Sequence, residues 1–429
     1  MEAQATAEIA KHTLLIFGIV IVTGMACGLL SRKLKVPDVA LLLVAGILLG
    51  PSVAGMVSIP TGSALNQLIL IFGASYILFD GGASLKLSVL KQTWITISVI
   101  STLGVLVTGG VTAAAAHALL GLDWPQALLL GAVIASTDPA TLVPVFRQVK
   151  VRERVAQTVM SESAFNDATG AILTFVVLGV VTGGGTTELM PALGNLVWQA
   201  AAGIAAGALL GYLAAMGIAH ARYAFLAEYA PVVTLAAVIG AYLGADGLAA
   251  SGFMAVFVFG IMLGNKELFG FVQEAGEARQ LEEFILTTAF VMRVFIFVLL
   301  GSQVDIAVVL AYGWPVLLVV VIFIAVARPL TVLVCAAPDR RARWTRQELL
   351  FMCWTRETGV IPGALAGMLV GMQVPGAQVI ASVTFVAILV TIGLQATTTG
   401  WLARKLRLME EAALPAATGA GKAEPATTT

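Results

Sequence analysis

Apolar residues run in long blocks broken at glycine, proline or clustered charge, and the breaks mark thirteen candidate spans. These are 11–31, 37–56, 64–84, 93–120, 125–146, 155–182, 192–219, 229–245, 248–264, 283–302, 307–336, 347–372 and 376–403. A helix of about 20 apolar residues crosses a hydrocarbon core, and it satisfies its own backbone polar groups where no water can. The pattern predicts an all-α polytopic membrane protein with about 13 transmembrane helices in one domain, residues 11–406. A short external N-terminus (1–10) precedes it, and a tail rich in Ala, Thr, Gly and Pro (407–429) is expected to be disordered and cytoplasmic.

Composition narrows the choice of solvent. Of 429 residues, 59% are hydrophobic and 11% charged, against about 25% charged in soluble proteins. A soluble core stops growing near ~250–300 residues, so water has no place for this much apolar surface. The net charge of zero argues against nucleic acid as a partner. Cys27, Cys335 and Cys353 lack the paired spacing of a disulfide or zinc framework. Glu2 and Glu8 stand where a signal peptide carries bases, so the first apolar run is expected to be retained.

The distribution of charge tests the segmentation. Apart from Lys11, Arg293, Arg328 and Arg356, the other 20 of the 24 basic residues fall in the odd-numbered connections or the C-terminal segment. The even-numbered connections carry only Asp123, Glu188, Asp246, Asp305 or no charge. Basic connections stay in the cytoplasm, which places the C-terminus inside and the N-terminus outside a cell membrane and requires an odd number of spans.

Ionisable residues inside the apolar blocks are costly and mark sites. They are Arg293, Arg328 and Arg356 with Asp80, Asp138, Glu162, Asp167 and Glu357; the alternative is that some merely pair to fix helix packing. In Ser161-Glu-Ser-Ala-Phe-Asn-Asp167, residues Glu162, Ser163, Asn166 and Asp167 share a sector of about 140° on one helix face. This all-oxygen set suits a hard cation, and a carboxylate binds either cation or proton. In the fifth span, Pro139 removes a donor and disfavours helix at Asp138, while Thr137 or Asp138 can cap a new half-helix; a simple proline kink is the alternative. In the twelfth span, Arg356-Glu-Thr-Gly359 and Pro362-Gly363 make a second interruption. Spans 1–6 and 8–13 form two six-helix halves that the seventh inverts, with broken helices at comparable places, a pointer to a secondary-transporter site.

The chain resembles the NhaP-type sodium/proton antiporters of the monovalent cation/proton antiporter superfamily from about Leu15 to Leu406. The resemblance is carried by Gly46-Ile-Leu-Leu-Gly-Pro51, Leu78-Phe-Asp-Gly-Gly82, Ser136-Thr-Asp-Pro-Ala140, Glu162-Ser-Ala-Phe-Asn-Asp167 and Arg328-Pro329. It implies two inverted six-helix repeats with unwound, crossing fifth and twelfth helices, and alternating access of a core bundle against a scaffold that forms a homodimer. It implies that Asp167 takes a proton or a sodium ion in turn, with Ser163, Thr137 and Asp80 completing the ion's shell. Glu162 would pair with Arg328, Asn166 would mark the electroneutral branch, and Asp138 and Arg356 would stabilise the helix crossing.

Exchange of one proton for one monovalent cation at Asp167 alone moves no net charge. The expected activity is therefore electroneutral exchange of sodium or lithium for protons in pH homeostasis, with potassium as the alternative cation and no cofactor. Many relatives follow the twelfth-span arginine directly with glycine, whereas Glu357 and Thr358 intervene here. Glu357 is expected to balance Arg356, the alternative being an altered proton stoichiometry. A channel is disfavoured, an intramembrane protease lacks a Ser/His or paired-Asp arrangement, and no phosphate loop supports ATP-driven pumping. Gly203, Gly207 and Gly211 form a small-residue ridge for packing within the chain or across a dimer. His12, His117 and His220 sit near span ends, and the acids from Glu274 to Glu283 are expected on a solvated amphipathic helix.

Overall fold

The computed structural model describes residues 2–34, 36–137, 142, 145–146, 149–182, 189–219 and 225–410. Among them the protein is helical, and its one β contact is the isolated bridge Val151–Met409. The helices are α1 (Glu2–Leu34), α2 (Asp38–Leu49), α3 (Ala64–Ala83), α4 (Leu87–Leu120), α5 (Trp124–Ile134), α6 (Glu153–Val181), α7 (Leu189–Ala219), α8 (Ala230–Asp246) and α9 (Gly252–Gly264). They continue with α10 (Ala275–Ser302), α11 (Ile306–Tyr312), α12 (Trp314–Ile322), α13 (Arg328–Cys335), α14 (Arg346–Trp354), α15 (Val360–Gly371), α16 (Ala377–Val390) and α17 (Thr397–Lys405). Among the described residues nine helical stretches are long and apolar enough to cross a membrane, and α2, α5, α9 and α15 are shorter apolar helices.

Two ends of the bundle collect different connections. At one end Lys86 pairs with Glu153 at 2.5 Å, and Arg154 pairs with Glu348 at 2.9 Å. The same end holds the Thr96 hydroxyl on Asp339, with O···O 2.5 Å. At the other, Ser52 donates to the Val304 carbonyl at 2.8 Å, and Gln303 donates to Asn66 Oδ1 at 2.7 Å. The first set lies in or next to the basic connections and the second in or next to the uncharged or acidic ones.

Glycine seams bring helix backbones together. Gly260 and Gly264 of α9 face the carbonyls of Phe79 and Ala83 on α3, where a Cβ would collide. Gly203, Gly207 and Gly211 of α7 face Ser251, Ala255 and Phe259 to Met262 on the α9 side. That ridge therefore packs within the chain.

Several boundaries differ from expectation. Helix α1 starts at Glu2 rather than Lys11, because its Ala-, Glu- and Gln-rich start forms helix well. Helix α2 stops at Leu49, before Gly50 and Pro51, well short of residue 56. Of the expected tail, residues 408–410 lie against 150–152: Arg152 N–H donates to Leu408 O and Glu410 N–H to Lys150 O, each at 2.8 Å. Residues 411–429 of that tail lie outside the described residues. Two π-helical turns, Phe323–Ala327 and Thr391–Ala396, interrupt the eleventh and thirteenth spans. The first precedes Pro329, whose missing N–H and bulky ring disturb the turn before it.

Candidate functional site

The site is assembled where two helices lose their regular bonding. Helix α5 ends at Ile134, and Ser136 and Thr137 follow without helical structure. Helix α14 ends at Trp354, residues Thr355–Gly359 are non-helical, and α15 restarts at Val360. A helix end leaves carbonyls and N–H groups that need partners, and inside an apolar bundle water cannot supply them.

Helix α6 lies beside the first break and is unbroken. Glu162, Ser163, Asn166 and Asp167 are all buried on it. Asn166 clamps Thr137 with both ends of its amide: Oδ1 accepts the Thr137 backbone N–H at 2.9 Å, and Nδ2 donates to Oγ1 at 2.9 Å. The Thr137 hydroxyl in turn donates to Ser163 Oγ at 2.8 Å. Thr137, Ser163 and Asn166 thus form one hydrogen-bonded unit, and Asp167 follows Asn166 on the helix. Asp138 lies outside the described residues.

Two arginines serve the broken ends. Arg328 binds both oxygens of Glu162, Nη2 to Oε2 at 2.9 Å and Nη1 to Oε1. Its Nε donates to the Met352 carbonyl at 2.8 Å, and Nη2 also reaches the Thr355 carbonyl at 3.3 Å. One side chain therefore neutralises the buried acid of α6 and caps the end of α14. Arg356 leaves the second break and donates to the Ala135 carbonyl at the end of α5. It also donates to Thr108 Oγ1 at 2.8 Å, and its guanidinium lies 4.9 Å from the centre of the Phe323 ring.

The hydrogen bonds of Arg356 go to Thr108 and Ala135. Thr355–Gly359 is not helical. Glu357 is fully buried within the same break.

Asp80, buried near the end of α3, lies in the wall of a cavity of about 290 Å³ that Ser84, Lys266 and Glu282 also line. Arg293 of α10 faces Asp38 at 3.9 Å. His117 bonds the Leu122 carbonyl and stacks on Trp124, near the span end where it was expected.

Further capping groups come from residues the motifs did not single out. Gln395 Nε2, in the second π turn, donates to the Trp354 carbonyl at 2.6 Å. Thr391 at the head of that turn accepts the Thr358 N–H at 3.1 Å. Thr108 shares its hydroxyl with Thr331 at 2.8 Å as well as with Arg356. A widened turn shifts side chains that an ordinary helix would aim elsewhere.

A family model described as the transmembrane region of sodium/hydrogen exchangers matches residues 18–405. The chain belongs to the sodium/hydrogen exchanger family. It is 31% identical over 418 residues to Na(+)/H(+) antiporter 1 of Methanocaldococcus jannaschii, covering 91% of this chain and 94% of the relative. It is 29% identical over 410 residues to the K(+)/H(+) antiporter NhaP of Alkalimonas amylolytica, covering 94% of this chain and 68% of the relative. The solved structure of the sodium proton antiporter MjNhaP1 from Methanocaldococcus jannaschii at pH 8 matches with a TM-score of 0.78 at 29% identity. That match covers 92% of this chain and 99% of the other. The chain is an NhaP-type antiporter of this family, a transporter.

Proposed function

We propose that this antiporter exchanges one sodium or lithium ion for one proton at Asp167, with no net movement of charge. The observation that carries the reading is the clamp of Asn166 on Thr137 through N–H···O and N–H···O bonds of 2.9 Å each. It commits the neutral member of the Asn166–Asp167 pair to holding the broken helix, and leaves one carboxylate of that pair to exchange its load. Ser163 and Thr137 supply hydroxyl and backbone oxygens to the cation, with Asp80 and Asp138 as further acids near its path. Glu162 is already neutralised by Arg328 and keeps a structural role.

The basic connections face the cytoplasm of a cell membrane, the N-terminus is outside, and the core works by alternating access beside a second copy in a homodimer. The exposed Leu14, Ile21, Val22, Met25 and Leu29 of α1 offer apolar surface to lipid or to that copy. Potassium is the second reading for the cation, favoured by the likeness to the K(+)/H(+) antiporter of Alkalimonas amylolytica.

Cation-induced proton efflux from sealed everted vesicles tests the site. Sodium and lithium are expected to drive efflux in wild type and to fail in Asp167→Asn at equal abundance. Undiminished efflux in that variant would remove Asp167 from the mechanism, and efflux driven by potassium in preference to sodium would make potassium the substrate.

A further inference from the structure

The cavity beside Asp80 contains a charge of the wrong sign for a cation path. It opens at the basic end of the bundle, between the end of α3, the turn after α9 and the start of α10. Asp80, Ser84 and Glu282 line it with oxygen, and Leu281 and Ile285 complete an apolar wall. Lys266 lines the same wall from the short helical turn Lys266–Phe269. Among the described residues, no ion pair engages its ammonium. Burial holds that ammonium below the usual lysine range, against the pull of the neighbouring Glu267 carboxylate.

Lysine at this place has one ordinary explanation. A cation is favoured near the C-terminus of a helix, here α9, which ends at Gly264. That accounts for a base in the turn. It does not require the base to stand half-buried in the wall of a cavity that two carboxylates also line.

We propose that Lys266 sets the apparent affinity for the transported cation entering from the basic face, because its ammonium competes with that cation for the Asp80 and Glu282 side of the cavity. The proposal rests on the exchange mechanism above and deepens it by assigning a residue that tunes affinity. Asp80 and Glu282 attract a monovalent cation, and the tethered ammonium on the wall of the same cavity opposes it. A like charge about 10 Å away in a partly wetted cavity changes local cation occupancy about three- to tenfold. Lys266 is a positioning residue in this scheme: it touches neither Asp167 nor the exchanged proton.

The test is the cation dependence of proton efflux in everted vesicles, which present the basic face to the added sodium. Lys266→Met keeps the apolar stem and removes the charge; it is expected to lower KM about three- to tenfold with the maximal rate unchanged. Lys266→Arg is expected to keep the wild-type KM, and Lys266→Glu to lower KM below that of the methionine variant. An unchanged or raised KM in Lys266→Met would overturn the proposal. So would an equal shift in the methionine, arginine and glutamate variants, which is the mark of a structural role. If Lys266→Met fails to reach the membrane, Lys266→Gln gives the same comparison. Asp167→Asn run alongside separates the two claims. Its loss of efflux with no KM change at Lys266 defeats this inference alone, while retained efflux defeats the exchange mechanism.

Discussion

Arg356 donates to the carbonyl oxygen of Ala135, so one side chain from the second interrupted helix caps the end of the first. The two breaks are therefore joined by a charge on one and a backbone dipole on the other. Removing the guanidinium leaves the Ala135 carbonyl and the Thr108 hydroxyl short of a partner in an apolar interior. Arg356→Ala is expected to lower stability by about 2–3 kcal/mol, read as a lower melting temperature of the purified protein. Arg356→Lys, with one compact ammonium for a planar fork, should recover part of that loss. A melting temperature equal to wild type in Arg356→Ala would show that this bond does not hold the two breaks together.

Glu162 and Arg328 should behave as a unit. Breaking a buried ion pair by removing one partner costs about 3–5 kcal/mol, because the survivor stays buried and uncompensated. Glu162→Gln and Arg328→Gln are each expected to destabilise, the arginine change more, since the Met352 and Thr355 carbonyls also lose a donor. The double variant should lose less than the two single losses combined. Simple additivity in thermal melting would count against the coupling.

Asn166→Ala frees both the backbone and the hydroxyl of Thr137. The expected result is weaker cation binding, with KM raised about tenfold, and a stability loss of about 1–3 kcal/mol. Cation titration of exchange in vesicles measures the first and thermal melting the second. A normal KM in a variant with the stability loss would confine Asn166 to a structural role.

The basic face carries its own titration. Burial raises the Asp339 carboxyl, but bonds from Thr96 and from the Ala342 and Arg341 backbone N–H groups outweigh it and hold it below the usual carboxylate range. A group depressed in the folded state stabilises it above the unfolded value of about 3.9. The contribution fades as pH falls through the lower folded value. Asp339→Asn is therefore expected to melt below wild type at neutral pH, and the gap should close as the medium is acidified. A gap that is constant with pH would show that the effect is not electrostatic.

Much of this architecture is written in where charge is missing and where it is not. The apolar blocks, the alternation of basic connections and the buried acids and arginines have no soluble explanation, so spans and ends were legible as residues, while the Glu162–Arg328 pair came from the family resemblance. The breaks were legible through Pro139, Gly359 and Pro362. The threonine and glutamine caps were not. A hydroxyl inside a helix can always return to the carbonyl four residues back, as Thr174 does to Gly170 and Thr384 to Ile380. Thr108 and Thr391 look the same in the sequence until the partner helix is in place. The bonds of Arg356 to Thr108 and Ala135 were not legible either, because they depend on which helices face the second break. The partner of the α7 glycine ridge depended on which helix lay opposite, which no local pattern contains.

The stoichiometry can be read from a null point. In proteoliposomes, a roughly tenfold sodium gradient is opposed by a proton gradient of about the same ratio, and the membrane potential is stepped. One-for-one exchange at Asp167 predicts no net proton flux at any potential. A null point that moves with voltage would contradict it and require a second charge in the cycle.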